Sequence, residues 1–289
     1  MGRNKPPEDF GESSSIELER IKYRRGQRVK STLVSCASLV VFAFVIYVLL
    51  SHSEGWDRVR ITFFSGRHFV DALPGVFTGL LTNIKILFYA VIGVAIFGTL
   101  IAVVRTTNSA VLFPLRLFAA GYTDIMRGTP MIIVLYLVGF GIPGLRLFGR
   151  IDASLLGTVA IIMVYSAYVS EVLRAGIEAV HPSQRLAARS LGLSHSQTMR
   201  MIILPQAVRK VIPALMNDFV SMQKDVGLVS VLGAIDAVRS AQIAVAKTYN
   251  FTPYIVAGVL FIAMSLPCIR VTDWYTKKLQ KREQMGVAV

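Results

Sequence analysis

Along this chain, apolar runs long enough to cross a bilayer alternate with short polar segments. A spanning helix needs about 20 mostly apolar residues to cross a hydrocarbon core of about 30 Å. The first such run is Leu33 to Leu50, "LVSCASLVVFAFVIYVLL", which holds no charge. Leu80 to Val104 is the second, with Asn83 and Lys85 near one end, where a lysine can reach the interface. A third runs from about Phe118 to Gly141 and is interrupted by "MRGTP" at Met126 to Pro130. Ser154 to Leu173, Ile212 to Leu232 and Tyr254 to Val271 complete six runs. The pattern predicts an all-α polytopic membrane protein with about six transmembrane helices.

The polar segments carry the turns. Residues 1–32 are rich in Ser, Glu and Arg and are read as a basic, partly disordered arm. The run at 33–50 lacks the short basic flank and small-residue cleavage site of a signal peptide, so it is read as an uncleaved span. Ser51 to Gly79 is mixed and predicts an outer loop with a short surface helix. Pro143, Gly144, Arg146 and Arg150 mark a second outer turn.

Composition agrees with a bilayer setting. The 289 residues are 54% hydrophobic, with a mean hydropathy of +0.57. A formal charge of +14 would suggest nucleic acid in a soluble protein. Its distribution argues otherwise: 22 of the 31 Lys and Arg fall on segments assigned to one face, and 7 on the other. By the positive-inside rule that places both termini in the cytoplasm, with no nucleic-acid partner. Cys36 and Cys268 both lie in predicted spans and offer neither a disulfide framework nor metal-ligand spacing. A phosphate-cradling G-x-x-x-x-G-K-[ST] loop is missing, as is any Gly-Lys pair, so ATP cannot be held in that way.

One polar stretch stands apart, "LAARSLGLSHSQTMRMIILP" at 186–205. His181-Pro182-Ser183 stops the preceding helix, and Ser183 can cap a new one over Gln184 to Leu191. Gly192 suits the left-handed conformation that ends helices. Ser194 followed by Gln197 fits a capping box, predicting a second helix from His195 that ends before Pro205. The outcome is a stiff paired-helix projection between two spans; the plainer reading is a loop that helps the bundle fold.

Ionisable groups at bilayer depth cost about 2.5–3.5 kcal/mol each, which makes them candidates for function. Lys224 and Asp225 are adjacent, so on a helix they point about 100° apart and cannot pair face to face. Asp225 suits an ammonium group and Lys224 a carboxylate or carbonyl, unless both serve helix packing. Glu171 lies one turn beyond Tyr168 and within reach of Arg174 and Glu178, which fits either ion pairing at a helix end or a gate. Gly128-Thr129-Pro130 breaks a helix inside a span, and Gly227 and Gly233 loosen another. Irregular backbone at that depth lines cavities, and broken helices often form transporter sites. The candidate pathway set is therefore Asp225, Lys224, Glu171, Tyr168, Asn83 and Thr129, with packing the competing role for Asn83.

A-A-x-x-x-G at Ala187 to Gly192, then nine residues, then I-x-L-P at Ile202 to Pro205, resembles the signature of permease subunits of binding-protein-dependent ABC importers. "YTDIMRGTP" at 122, "AYVSEVLRAGI" at 167 and "QKDVGLVSVLG" at 223 are similar to the polar amino-acid branch. The resemblance covers about 75–280 and implies a five-helix permease core there, with 33–50 an extra helix. It implies that 183–205 docks an ATPase, with Leu186, Ala187, Ala188, Gly192, Ser194, Gln197, Ile202 and Pro205 as coupling residues. It further implies a cytoplasmic ATPase pair holding ATP and Mg2+, a second permease chain, an external solute-binding protein, lipid contact, and no cofactor in this chain. A bacterial inner membrane is the implied location. Two departures stand out: Leu186 occupies a position where the family usually has Glu, and Val226-Gly227 replaces the Thr-Ser of a K-D-T-S-L run. From the residues alone, an ion-coupled secondary transporter using Asp225 and Glu171, or a scaffold whose basic arm binds anionic lipid, remain the alternatives.

Overall fold

The computed structural model describes residues 15–284 apart from 108 and 148. Every regular element among them is helical. The chain divides into two compact units, residues 1–61 and 62–289.

In the first unit, α1 runs from Ser15 to Ser51, and its Val29–Ser51 portion is long and apolar enough to span a membrane. Within the arm read as partly disordered over 1–32, the chain is helical from Ser15; residues 1–14 lie outside the described residues. The physical reason is local: between Ser15 and Ser51 there is a single glycine, Gly26, and no proline, so nothing in the sequence stops the helix. A short helix, α2 (Trp56–Phe63), follows.

The second unit is built around two long helices, α3 (Gly66–Thr106) and α6 (Ala153–Glu178). Helix α3 starts 14 residues before the span expected at Leu80, absorbing most of the predicted loop and carrying Pro74 inside it. An interior proline costs about 3 kcal/mol, so packing must outweigh it. Ala72, Val76 and Leu80 form one buried stripe against Ala237 and Ala241 of α10 (Ala237–Thr248) and Val256 of α11 (Thr252–Gln284). Its first turn is pinned by the Ser65 N–H, which donates to Thr252 Oγ1 at 3.1 Å.

Helix α6 begins at Asp152, whose carboxylate accepts the N–H of Ser154 at 2.8 Å. Its Ala160, Ile161 and Val164 sit at the centre of the main core, against Ala90 and Val94 of α3, and against Val226 and Val229. The third expected span is two helices, α4 (Phe113–Gly128) and α5 (Met131–Gly144), bent by 111° at the Thr129-Pro130 break. The fifth is likewise composite. Helix α9 (Leu204–Asp225) tightens into a 3₁₀ segment, Val226–Leu232, that ends at Gly233 with φ +88°, and α10 leaves at 49°. Counting each bent pair as one span gives six.

What holds the unwound end of the fifth span in place is Asn83. Its side-chain amide donates to Val226 O at 3.1 Å and to Asp236 Oδ2 at 3.0 Å, and its Oδ1 accepts the Ala237 N–H at 3.0 Å. One turn earlier on α3, Gly79 lies directly against the Asp236 backbone, where a Cβ would collide with the carbonyl. The close approach of two backbones requires glycine there.

Candidate functional site

Two features hold most of the residues singled out from the sequence, a cleft at the broken span and a projection between α6 and α9. The cleft measures about 560 Å³. One wall is the α4–α5 break, Arg127 to Met131; the others are Tyr165 and Tyr168 of α6, and Asp218, Ser221 and Asp225 of α9. Because the chain turns through 111° at the break, backbone polar groups at the end of α4 and the start of α5 face a cavity rather than continuing a helical ladder.

The cleft is chemically two-sided. Asp225 accepts a hydrogen bond from the Tyr165 hydroxyl at 2.8 Å. Asp218 Oδ2 is buried and has no hydrogen-bond partner. Arg127 belongs to the wall formed by the break, its Cζ 6.0 Å from the Tyr168 ring centroid, while its carbonyl accepts from the Tyr168 hydroxyl at 3.4 Å. Two carboxylates and one guanidinium facing a common cavity suit a ligand that carries both an ammonium and a carboxylate.

The six pathway candidates do not stay together. Asp225, Tyr168 and Thr129 line the cleft, with Thr129 Oγ1 donating back to Ile125 O at 2.8 Å. Lys224 is exposed on the chain's outer surface and lines none of it. Asn83 is fully buried and committed to the backbone fastening described above. Glu171 is engaged by arginines, Arg105 Nη1 at 2.8 Å, Arg127 Nη1 at 3.9 Å and Arg174, which also reaches Glu178 at 2.6 Å. Asp218, Tyr165 and Arg127 belong to the cleft without having been singled out as site residues. The signal for Asp218 was available, an acid inside an apolar run one residue beyond Asn217.

The projection is built as follows. Helix α7 (Pro182–Ser190) is capped by His181, whose Nδ1 accepts the Ser183 N–H at 3.2 Å, so His181 rather than Ser183 is the cap. Pro182 fits the first turn, where its missing N–H loses no bond. Gly192 turns the chain at φ +79°. Ser194 and Gln197 form the full capping box on α8 (His195–Thr198): Gln197 N–H to Ser194 Oγ at 3.3 Å and Ser194 N–H to Gln197 Oε1 at 2.9 Å. The second helix does not end before Pro205. A π-helical turn, Met199–Ile203, carries it directly into α9, whose first turn accommodates Pro205.

The projection is anchored by Val180, Ile203 and Ala207, with Ile202 packed against them, and by Lys210 Nζ donating to Ala179 O at 2.8 Å. Ala188 is buried as well. Leu186, Leu191 and Met201 point outward at 67%, 81% and 64% exposure, and Ala187 is exposed too. Ala188 and Ile202 therefore hold the projection from within, whereas Leu186 and Ala187 are available to a partner.

A helical membrane bundle with a cavity at a broken span and a stiff helical handle is the transmembrane part of a transport system. The chain belongs to the family described as "Binding-protein-dependent transport system inner membrane component", which matches residues 112–283. It is 33% identical over 216 residues to "Arginine transport system permease protein ArtQ" of Bacillus subtilis (strain 168), covering 74% of this chain and 96% of that one. It is 37% identical to "Putative glutamine transport system permease protein GlnP" of Rickettsia conorii (strain ATCC VR-613 / Malish 7), covering 71% and 90%. Among solved structures, "Crystal structure of an amino acid ABC transporter with histidines" superposes with a TM-score of 0.67 at 36% identity, covering 72% of this chain and 96% of that chain. The inward-facing MetNI methionine ABC transporter, at 18% identity and a TM-score of 0.54, shares the fold.

Proposed function

We propose that this chain is the permease subunit of an ABC importer that carries a polar amino acid into the cytoplasm, with the Arg127–Asp218–Asp225 cleft as a substrate site. The observation that carries the reading is the two-sided cleft, Arg127 on the broken helix facing the acidic wall of α9. An amino-acid ammonium suits Asp225 and the unpartnered Asp218 oxygen; its carboxylate suits Arg127 and the free N–H groups at the start of α5. The relatives named for arginine and glutamine transport support the substrate class.

ATP hydrolysis belongs to a pair of partner ATPases, and the projection is their docking handle. Its outward Leu186 and Ala187 meet the partner, and its anchoring to α6 and α9 converts the partner's closure into rigid-body motion of both helices. Leu186, exposed at 67%, makes that contact apolar. An external binding protein delivers the substrate, and the membrane is a bacterial inner membrane with both termini cytoplasmic, in keeping with the basic residues of 174–210 and of the two ends. A second permease chain, identical or homologous, covers α9, where Lys224 would otherwise face lipid at a cost of about 2.5–3.5 kcal/mol.

Asp225→Asn tests the site. It keeps the shape and the Tyr165 contact but removes the charge. Uptake by the assembled transporter is expected to fall about tenfold or more, the weight of one charge-assisted hydrogen bond. Unchanged uptake kinetics in a normally assembled complex would take Asp225 out of the pathway.

A further inference from the structure

Three guanidinium groups converge on the carboxylate of Glu171, and they are not equivalent. Arg105 of α3 bonds it at 2.8 Å with only 12% of its side chain exposed. Arg174, one turn along α6, engages both carboxylate oxygens and passes on to Glu178 at 2.6 Å. Arg127 of α4 stands off at 3.9 Å, beyond hydrogen-bonding range, and is the most exposed of the three at 41%. Counted by formal charge, this cluster holds three arginines against Glu171 and Glu178 and carries one surplus positive charge. Removing Arg127 balances it. The loosest member can therefore leave without stranding a carboxylate, since Arg105 and Arg174 still hold Glu171 and Arg174 holds Glu178.

Arg127 is at the same time a wall of the cleft, stacked at 6.0 Å over Tyr168, whose ring centroid lies 6.0 Å from that of Tyr165, the donor to Asp225. We infer that Arg127 is shared between two anions: Glu171 when the cleft is empty and the carboxylate of the substrate when it is filled. Glu171 is then a positioning residue that competes with substrate for one guanidinium. This rests on the cleft being the amino-acid site. Its consequence is directional, because Glu171, Arg174 and Glu178 lie on the last two turns of α6, and the projection begins at His181. Substrate that draws Arg127 away alters the ion pairing at the root of the handle, so occupancy of the cleft is reported to the surface that meets the ATPase.

Competition makes a prediction that a purely structural role does not. Glu171→Gln removes the rival anion, so substrate binds more tightly while the report to the ATPase is lost. L-arginine and L-glutamine are titrated by calorimetry into the purified permease–ATPase complex. The stimulation of ATP hydrolysis by each substrate is measured with the binding protein present, in vesicles of phosphatidylethanolamine and phosphatidylglycerol. For Glu171→Gln the dissociation constant of the transported amino acid is expected to fall about two- to fivefold, the weight of a partly exposed ion pair, and the stimulation ratio to drop toward one. Arg127→Gln is expected to weaken binding, and adding Glu171→Gln to it to change the affinity no further. Weaker or unchanged binding in Glu171→Gln overturns the inference, as does an effect of Glu171→Gln that persists without Arg127. If Glu171→Gln does not assemble, Arg127→Lys is used; weaker binding together with reduced stimulation supports the inference, and wild-type values for either overturn it. Asp225→Asn separates the two layers. Normal transport in that variant sinks the cleft itself, whereas impaired transport alongside an Arg127-independent effect of Glu171→Gln sinks only the competition.

Discussion

Asn83 has no accessible surface and uses both ends of its amide, donating to Val226 O and Asp236 and accepting from the Ala237 N–H. Truncation removes the donor to Asp236 Oδ2, while Oδ1 keeps the Arg239 N–H, and leaves the Ala237 N–H without its acceptor where water does not reach, at about 1–3 kcal/mol for a buried group left unpaired. Asn83→Ala is therefore expected to lower the thermal midpoint of the purified complex while leaving substrate affinity in the surviving molecules near normal. Loss of affinity without loss of stability would return Asn83 to the pathway. Tyr165 is the converse case, part of the cleft yet replaceable. Its hydroxyl orients Asp225 at 2.8 Å, so Tyr165→Phe should weaken uptake by less than Asp225→Asn does, about three- to tenfold, with the folded state intact. The sequence displayed each of these residues but not its partner. Asn83 and Asp236 are 153 positions apart, and Tyr165 and Asp225 are 60 apart.

Among elements, the projection was the most legible. Its cap, turn and second start depend on neighbours within four residues, and Gly192 and the Ser194–Gln197 box adopt the geometry that their spacing requires. Gly192→Val forces a β-branched residue to φ +79°, which costs about 1–2 kcal/mol locally and displaces the handle. The expected outcome is a folded permease that no longer couples ATP hydrolysis to uptake, seen as ATPase that is insensitive to substrate. Ser194→Ala, which removes one cap bond worth about 1 kcal/mol, should have a milder effect of the same kind. Other elements were misread for tertiary reasons. Pro74 marks a break by local rules, yet α3 continues through it because its Ala72–Val76–Leu80 stripe is buried against α10 and α11. The helix after Ser194 does not stop at Pro205, since a π-turn packed around Ile203 lets it run into α9.

On the scale of the whole molecule, six apolar runs correspond to four candidate spans and two bent pairs among the described residues. The bends matter more than the count, because the 111° turn at Thr129-Pro130 opens the cleft and the unwound 226–232 segment carries the chain to Asp236. The proposed orientation rests on the basic residues and is open to a direct check. An alkaline phosphatase reporter, active only outside the cytoplasm, is expected to stay silent when fused at either terminus and to work when fused after Tyr249, in the exposed turn between α10 and α11. Activity at the termini would invert the proposed topology and with it the assignment of the projection to an ATPase.

The sequence by itself determined what depends on near neighbours and on the solvent. It set the helical class through runs of apolar residues that only helices can carry across lipid, the break at Gly128-Thr129-Pro130, and the capped turn at Gly192. Only the tertiary structure decided which polar side chains meet. A helix exposes just its i, i+3 and i, i+4 neighbours to pattern reading, so the Arg174–Glu171–Glu178 ladder was visible in advance. The arrival of Arg105 from 66 residues away and of Arg127 from the broken span was not. Those contacts depend on how α3, α4 and α6 pack, and packing is a property of the assembled core rather than of any one segment.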